Sequence, residues 1–89
     1  MKLVINYTFN YKQPYQHTIF NPDLTAFQSR YDLTNYIKNK LTPMEQKELK
    51  TAVCVVEDIN SPREFNSIPN WFLTCKGKFK FKNGKRIDD

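Results

Sequence analysis

The sequence predicts a small α+β domain: an antiparallel sheet of four or five strands with two helices on one face, in the order β-β-α-α-β-β-β. Three observations lead there. Leu3 to Phe9 alternates apolar and polar residues at period 2, the spacing of a half-buried strand. Between Leu24 and Leu41 apolar residues recur at three- and four-residue spacing, which stacks them on one side of a helix. The C-terminal run from Trp71 returns to period 2 and leads into Asn83-Gly84, the strongest short hairpin signal. With 89 residues there is room for one domain, 1–89, in the size range where a single core buries about two-thirds of the unfolded surface. An aromatic content of 15% with only two Gly argues for a folded chain rather than a disordered one.

Taken in order, the first strand places Leu3, Ile5, Tyr7 and Phe9 on one face and Lys2, Val4, Asn6 and Thr8 on the other. The polar break from Asn10 to Pro14 turns the chain, and Tyr15 to Phe20 reads as the second strand of a hairpin. Asn21, Pro22 and Asp23 carry helix-start chemistry, so a helix is expected from there through Leu24, Phe27, Tyr31, Thr34, Ile37 and Leu41. Ser29 and Asp32 can each cap locally, which leaves open whether that helix restarts near Asp32. Thr42, Pro43 and Glu45 form a capping box with Pro at the first helical position, predicting a short helix from Pro43 to about Lys50. The β-branched run from Ala52 to Val56 is expected as a third, central strand ending near Ile59. Residues 60–70, with Pro62 and Pro69, read as an irregular loop, and 71–87 as a basic hairpin. In that hairpin Trp71, Leu73, Cys75, Phe79 and Phe81 share one side, and Lys85 to Ile87 return as a short edge strand.

The net charge of +5 is unevenly distributed. Residues 1–75 carry eight basic and seven acidic side chains, whereas Lys76 to Arg86 hold six of the fourteen basic groups in eleven positions. Such local charge points to an acidic partner. The apolar start at Leu3, Val4 and Ile5 is too short for a signal-peptide core or a membrane span, so a cytoplasmic protein with no membrane partner is expected. Cys54 and Cys75 sit in apolar runs and read as reduced, buried thiols. One His and two Cys fall short of a structural zinc set, and no P-loop, dinucleotide-binding glycine pattern, Ser-His-Asp or Cys-His arrangement is present; neither metal nor cofactor is expected. Adjacent Glu57 and Asp58 point to opposite faces of a strand and make a poor metal clamp. Eleven Lys against three Arg, with nine Asn, is what AT-rich codons would produce and hints at a low-GC bacterium or its phage.

Lys76, Lys78, Lys80 and Lys82 recur on alternate positions, about 6.8 Å apart along a strand and near the phosphate spacing of an extended nucleic-acid strand. Together with Lys85 and Arg86 they form the expected binding face for nucleic acid or a nucleoprotein. The alternative is that these lysines guard an exposed strand against aggregation. Lys76 to Phe81 is similar to the Lys-Gly-aromatic core of RNA-recognition and cold-shock domains. It departs from that core at Lys78 and Lys80, and Phe79 and Phe81 on the side of Trp71 belong to the interior, so no family function is carried over. Tyr11, Tyr15, Arg63 and Phe65 are the expected elements of a protein interface.

Three functions are therefore weighed. The first is a non-enzymatic protein whose basic hairpin engages nucleic acid or a nucleic-acid-bound machine. The second is a phage or mobile-element inhibitor of the anti-CRISPR or anti-restriction type, binding a host or defence protein. The third is a small ribonuclease toxin built on His17, the only histidine. Oligomeric state is left open.

Overall fold

The computed structural model describes residues 1–71 and 77–87. The chain forms a five-stranded antiparallel sheet with helices, a small α+β domain as expected. Its elements are β1 (Lys2–Phe9), β2 (Tyr15–Phe20), a 3-10 turn (Leu24–Ala26), α1 (Arg30–Asn39), α2 (Pro43–Glu48), β3 (Leu49–Glu57), α3 (Pro62–Asn66), β4 (Lys78–Lys82) and β5 (Lys85–Arg86). The strands lie in the order β2-β1-β3-β4-β5, so β3 is central and β2 and β5 are the edges.

The register assigns the two faces, because directly opposed residues of an antiparallel pair share a side. Leu3 opposes Ile19 and Val56, Ile5 opposes His17 and Cys54, and Tyr7 opposes Tyr15 and Ala52. Phe79 opposes Ala52 on the same side. That side is the interior: Leu3, Ile5, Tyr7, Ala52, Cys54 and Phe79 are essentially inaccessible, and Leu33 and Ile37 of α1 close over them. The Tyr7 hydroxyl donates to the Ile37 carbonyl at 3.3 Å, and the Trp71 indole N–H donates to the Phe27 carbonyl at 3.0 Å. Both satisfy a polar group that burial would otherwise strand. Burial, with Tyr15 as the next contributor, pushes the Tyr7 pKa up.

Several elements depart from the sequence expectation, each for a local reason. The helix expected from Asn21 begins only at Arg30. Asn21 takes a left-handed backbone (φ 50), Asp23 caps a single 3-10 turn, and Ser29 in extended conformation accepts from the Asp32 N–H to start α1. The capping box at Thr42 is present with both of its hydrogen bonds, yet α2 ends at Glu48 and contributes no fully buried residue. Among the described helices, α1 and the 3-10 turn bring fully buried side chains to the sheet, while α2 sits at its end, where the Asn10 N–H donates to the Glu48 carbonyl at 2.9 Å. β3 begins at Leu49, earlier than Ala52. The segment 60–70 is not irregular throughout: α3 is started by Ser61, whose hydroxyl accepts from the Glu64 N–H at 3.3 Å, with Pro62 in the first turn. Trp71 is helical rather than the start of a strand, and β4 spans Lys78–Lys82; residues 72–76, with Leu73 and Cys75 among them, lie outside the described residues.

Candidate functional site

The other side of the sheet carries no helix among the described residues. Across it run Phe20, Lys2 and Glu57; then Thr18, Val4 and Val55; then Gln16, Asn6, Val53 and Lys78; then Thr8, Thr51 and Lys80. Lys82 pairs with Lys85 at the end of β4. The interior ends of the same alternation, Phe79 and Phe81, anchor β4 in the core, so Lys78, Lys80 and Lys82 are all held outward and exposed. Four expected members of the basic face, Lys78, Lys80, Lys82 and Lys85, thus project from one surface.

Two tight turns fix this arrangement. Gly77 has φ +63, and a Cβ there would stand 2.4 Å from the Cys54 carbonyl oxygen. Its own carbonyl accepts from the Cys54 N–H at 2.8 Å, which seats the start of β4 on β3. Asn83 (φ 53) and Gly84 (φ 80) supply the two left-handed residues of a tight hairpin turn, as their sequence predicts. The Ile87 N–H then donates to the Lys80 carbonyl at 2.9 Å. Arg30 reaches from α1 to donate to the Lys78 carbonyl at 2.9 Å and stacks 5.0 Å from the Phe79 ring, fixing the strand from beneath.

The sequence pattern alone does not reveal the rest of the site. The β1–β3 register shifts between Thr8 and Phe9, leaving Lys50 as an extra residue between Leu49 and Thr51. Lys50 and Asn10 join Thr51, Lys80, Phe81, Lys82 and Ile87 around an open recess of about 450 Å³. Lys50 is invisible to a reading along the chain because only strand order places β3 beside β4. Among the described residues Lys50, Lys78, Lys82 and Lys85 form no ion pair. At the opposite end of the strands Glu57 and Asp58 both hold Lys2, at 3.6 and 3.4 Å. The two carboxylates converge because Asp58 lies past the strand with φ 55, contrary to the expectation that they diverge.

The remaining expected residues fall elsewhere. Arg86 opposes Phe81 on the interior side and donates to the Thr34 hydroxyl at 3.3 Å, so it ties β5 to α1 rather than joining the lysines. Lys76 lies outside the described residues. Tyr11 is 90% exposed at the tip of the β1–β2 turn. Tyr15 packs its ring 5.1 Å from Tyr7 and 5.5 Å from Phe9, and burial and Glu45 push its pKa up. Arg63 and Phe65 are exposed on α3, two positions apart and so on different sides of that helix. His17 is half-buried on β2, and its side chain has no hydrogen-bond or ionic partner among the described residues. Cys54 is a free, buried thiol; Cys75 lies outside the described residues.

Among the described residues no three His, Cys, Asp or Glu side chains gather as a metal set, and no helix is long and apolar enough to cross a membrane. The chain matches no protein-family model, no curated protein and no solved structure. The reading of the site therefore rests on its geometry and charge.

Proposed function

We propose that this is a non-enzymatic binding protein whose lysine-bordered sheet face engages the phosphate backbone of nucleic acid, free or within a nucleoprotein. One observation carries the reading: Lys50, Lys78, Lys80, Lys82 and Lys85, from three strands, project around one open face and recess rather than being scattered over the surface. The alternate lysines of β4 repeat every ~6.8 Å, a spacing an extended polyanion can follow. Lysine is a point charge without the planar fork that reads base edges, so phosphate contact without strong sequence preference is the expected mode. The centre of the face is built from Val4, Val53 and Val55, and the exposed Phe20 ring stands on the edge strand β2, away from the β4 lysines, which argues against base stacking along them.

The test is fluorescence anisotropy of labelled single- and double-stranded oligonucleotides at low salt, with the Lys78→Glu/Lys80→Glu double variant alongside. Binding in the wild type and its loss in a folded double variant support the reading. Absent binding to every probe at low salt overturns it, and the lysines are then guards of an exposed sheet.

A further inference from the structure

The two edges of the sheet are treated differently. At one, β5 is two residues long and lies beside the lysines of β4. At the other, β2 presents six residues, Tyr15–Phe20, with no Lys, Arg, Asp or Glu and no internal proline. Its pairing with β1 runs without a shift from Lys2 opposite Phe20 to Tyr7 opposite Tyr15, so no bulge twists it away. Edge strands are normally blunted by charge, proline or bulges, because their unpaired backbone groups template further pairing. β2 carries none of these devices.

The phase of its hydrogen bonds is fixed as well. The Asn21 N–H donates to the Met1 carbonyl at 3.0 Å, and in an antiparallel ladder every second residue turns both backbone groups to the same neighbour. Ile19, His17 and Tyr15 therefore face β1, and Phe20, Thr18 and Gln16 direct their N–H and C=O groups outward. That outward row is self-complementary. An antiparallel twofold centred on Thr18 sets Thr18 against the partner's Thr18 and Gln16 against the partner's Phe20, and each outward residue then exchanges both of its backbone hydrogen bonds. Shifting the pairing by one residue sets outward groups against inward ones, and shifting it by two leaves an outward residue without a mate.

Side chains favour the same arrangement. Phe20 is 74% exposed on the open face, and this register lays it across the partner's Gln16. Although the chain carries a net charge of +5, its lysine rim lies toward the far edge, so joining at β2 keeps the two cationic rims apart. We propose that β2 is the dimerisation edge of this protein, joining two copies into one continuous antiparallel sheet. The twofold stands perpendicular to the sheet, so both lysine rims face the same way. This inference is independent of what those lysines bind.

Sedimentation velocity of the full chain over a concentration series tests it, alongside Thr18→Pro and Thr18→Lys. Proline at position 18 deletes an outward N–H but no β1–β2 hydrogen bond, and lysine there confronts its own copy across the twofold. The wild type is expected at the mass of two chains, both variants at half that mass with unchanged circular dichroism. Slow amide exchange at Gln16, Thr18 and Phe20 is expected in the wild type alone. Should Thr18→Pro fail to fold, Thr18→Lys decides. A wild type that stays monomeric into the high-micromolar range overturns the proposal and leaves the edge to an extended segment of another protein. A dimer that persists in Thr18→Lys overturns it equally.

Discussion

Gly77 sets the height at which the lysine strand leaves the core. Any side chain there meets the Cys54 carbonyl, which is backbone and cannot swing aside, and φ +63 adds strain of its own. Gly77→Ala is therefore expected to cost about 1–3 kcal/mol or more in a urea melt, a penalty that a merely permissive glycine would not show. Arg86 separates charge from position. Its guanidinium is engaged with Thr34 on the interior side, so Arg86→Ala is expected to lower stability by about 0.5–1.5 kcal/mol while leaving oligonucleotide affinity within a factor of about two. Lys82→Ala should do the reverse, weakening binding with little change in the melt; equal effects of the two substitutions on affinity would show that Arg86 reaches the ligand.

At the level of elements, α2 works as a clamp between the β1–β2 turn and the rest of the sheet. Its capping residue Glu45 accepts from the Thr42 N–H at 3.0 Å and pairs with Lys12, whose ammonium also lies 5.4 Å from the Phe9 ring and 5.5 Å from the Tyr15 ring. Lys12 first, and then the Thr42 amide, hold the Glu45 carboxyl down at about 2, from an ordinary value of 4.5. A carboxylate whose folded pKa is depressed contributes stability above its unfolded pKa and loses it as pH falls. Thermal melts should therefore fall between about pH 4.5 and pH 2 in the wild type. In Glu45→Gln this fall should be shallower, from a lower starting melting temperature at neutral pH. Thr42→Ala removes the cap and is expected to cost about 1 kcal/mol.

The same elements show what a sequence can and cannot disclose. β1, β2, the Thr42 cap and the Asn83-Gly84 turn are legible because each is governed by residues within a few positions of one another. The start of α1 is legible only as an alternative: the spacing of Leu24 and Phe27 suits a continuous helix from Asn21, and the restart that Ser29 and Asp32 left open is the one taken, with Ser29 extended and accepting from the Asp32 N–H. α3 repeats the logic of α2, with Ser61, Pro62 and Glu64 in the places of Thr42, Pro43 and Glu45, but surrounding prolines and polar residues disguise it. Its Glu64 does not complete the box; it pairs with the Met1 amine at 3.1 Å, a contact that no local pattern encodes. The proposed lysine face is half legible: period 2 gives Lys78, Lys80 and Lys82, whereas the placing of Lys50 beside them and the inward turn of Arg86 depend on which strands become neighbours.

For the whole molecule, a body of 40 × 24 × 17 Å leaves one face of its sheet without a helix among the described residues and sets Lys50, Lys78, Lys80, Lys82 and Lys85 along that face's margin. Its charge is modest, so affinity is expected to be carried by a few phosphate contacts and to fall steeply with salt. The decisive measurement is the slope of log affinity against log salt for a single-stranded oligonucleotide, in the wild type and in single Lys50→Gln, Lys80→Gln and Lys82→Gln variants. Each lysine that contacts a phosphate should reduce the steepness by about 0.7 on its removal. A slope that none of the three changes, or affinity that is insensitive to salt, would contradict the assignment of this face.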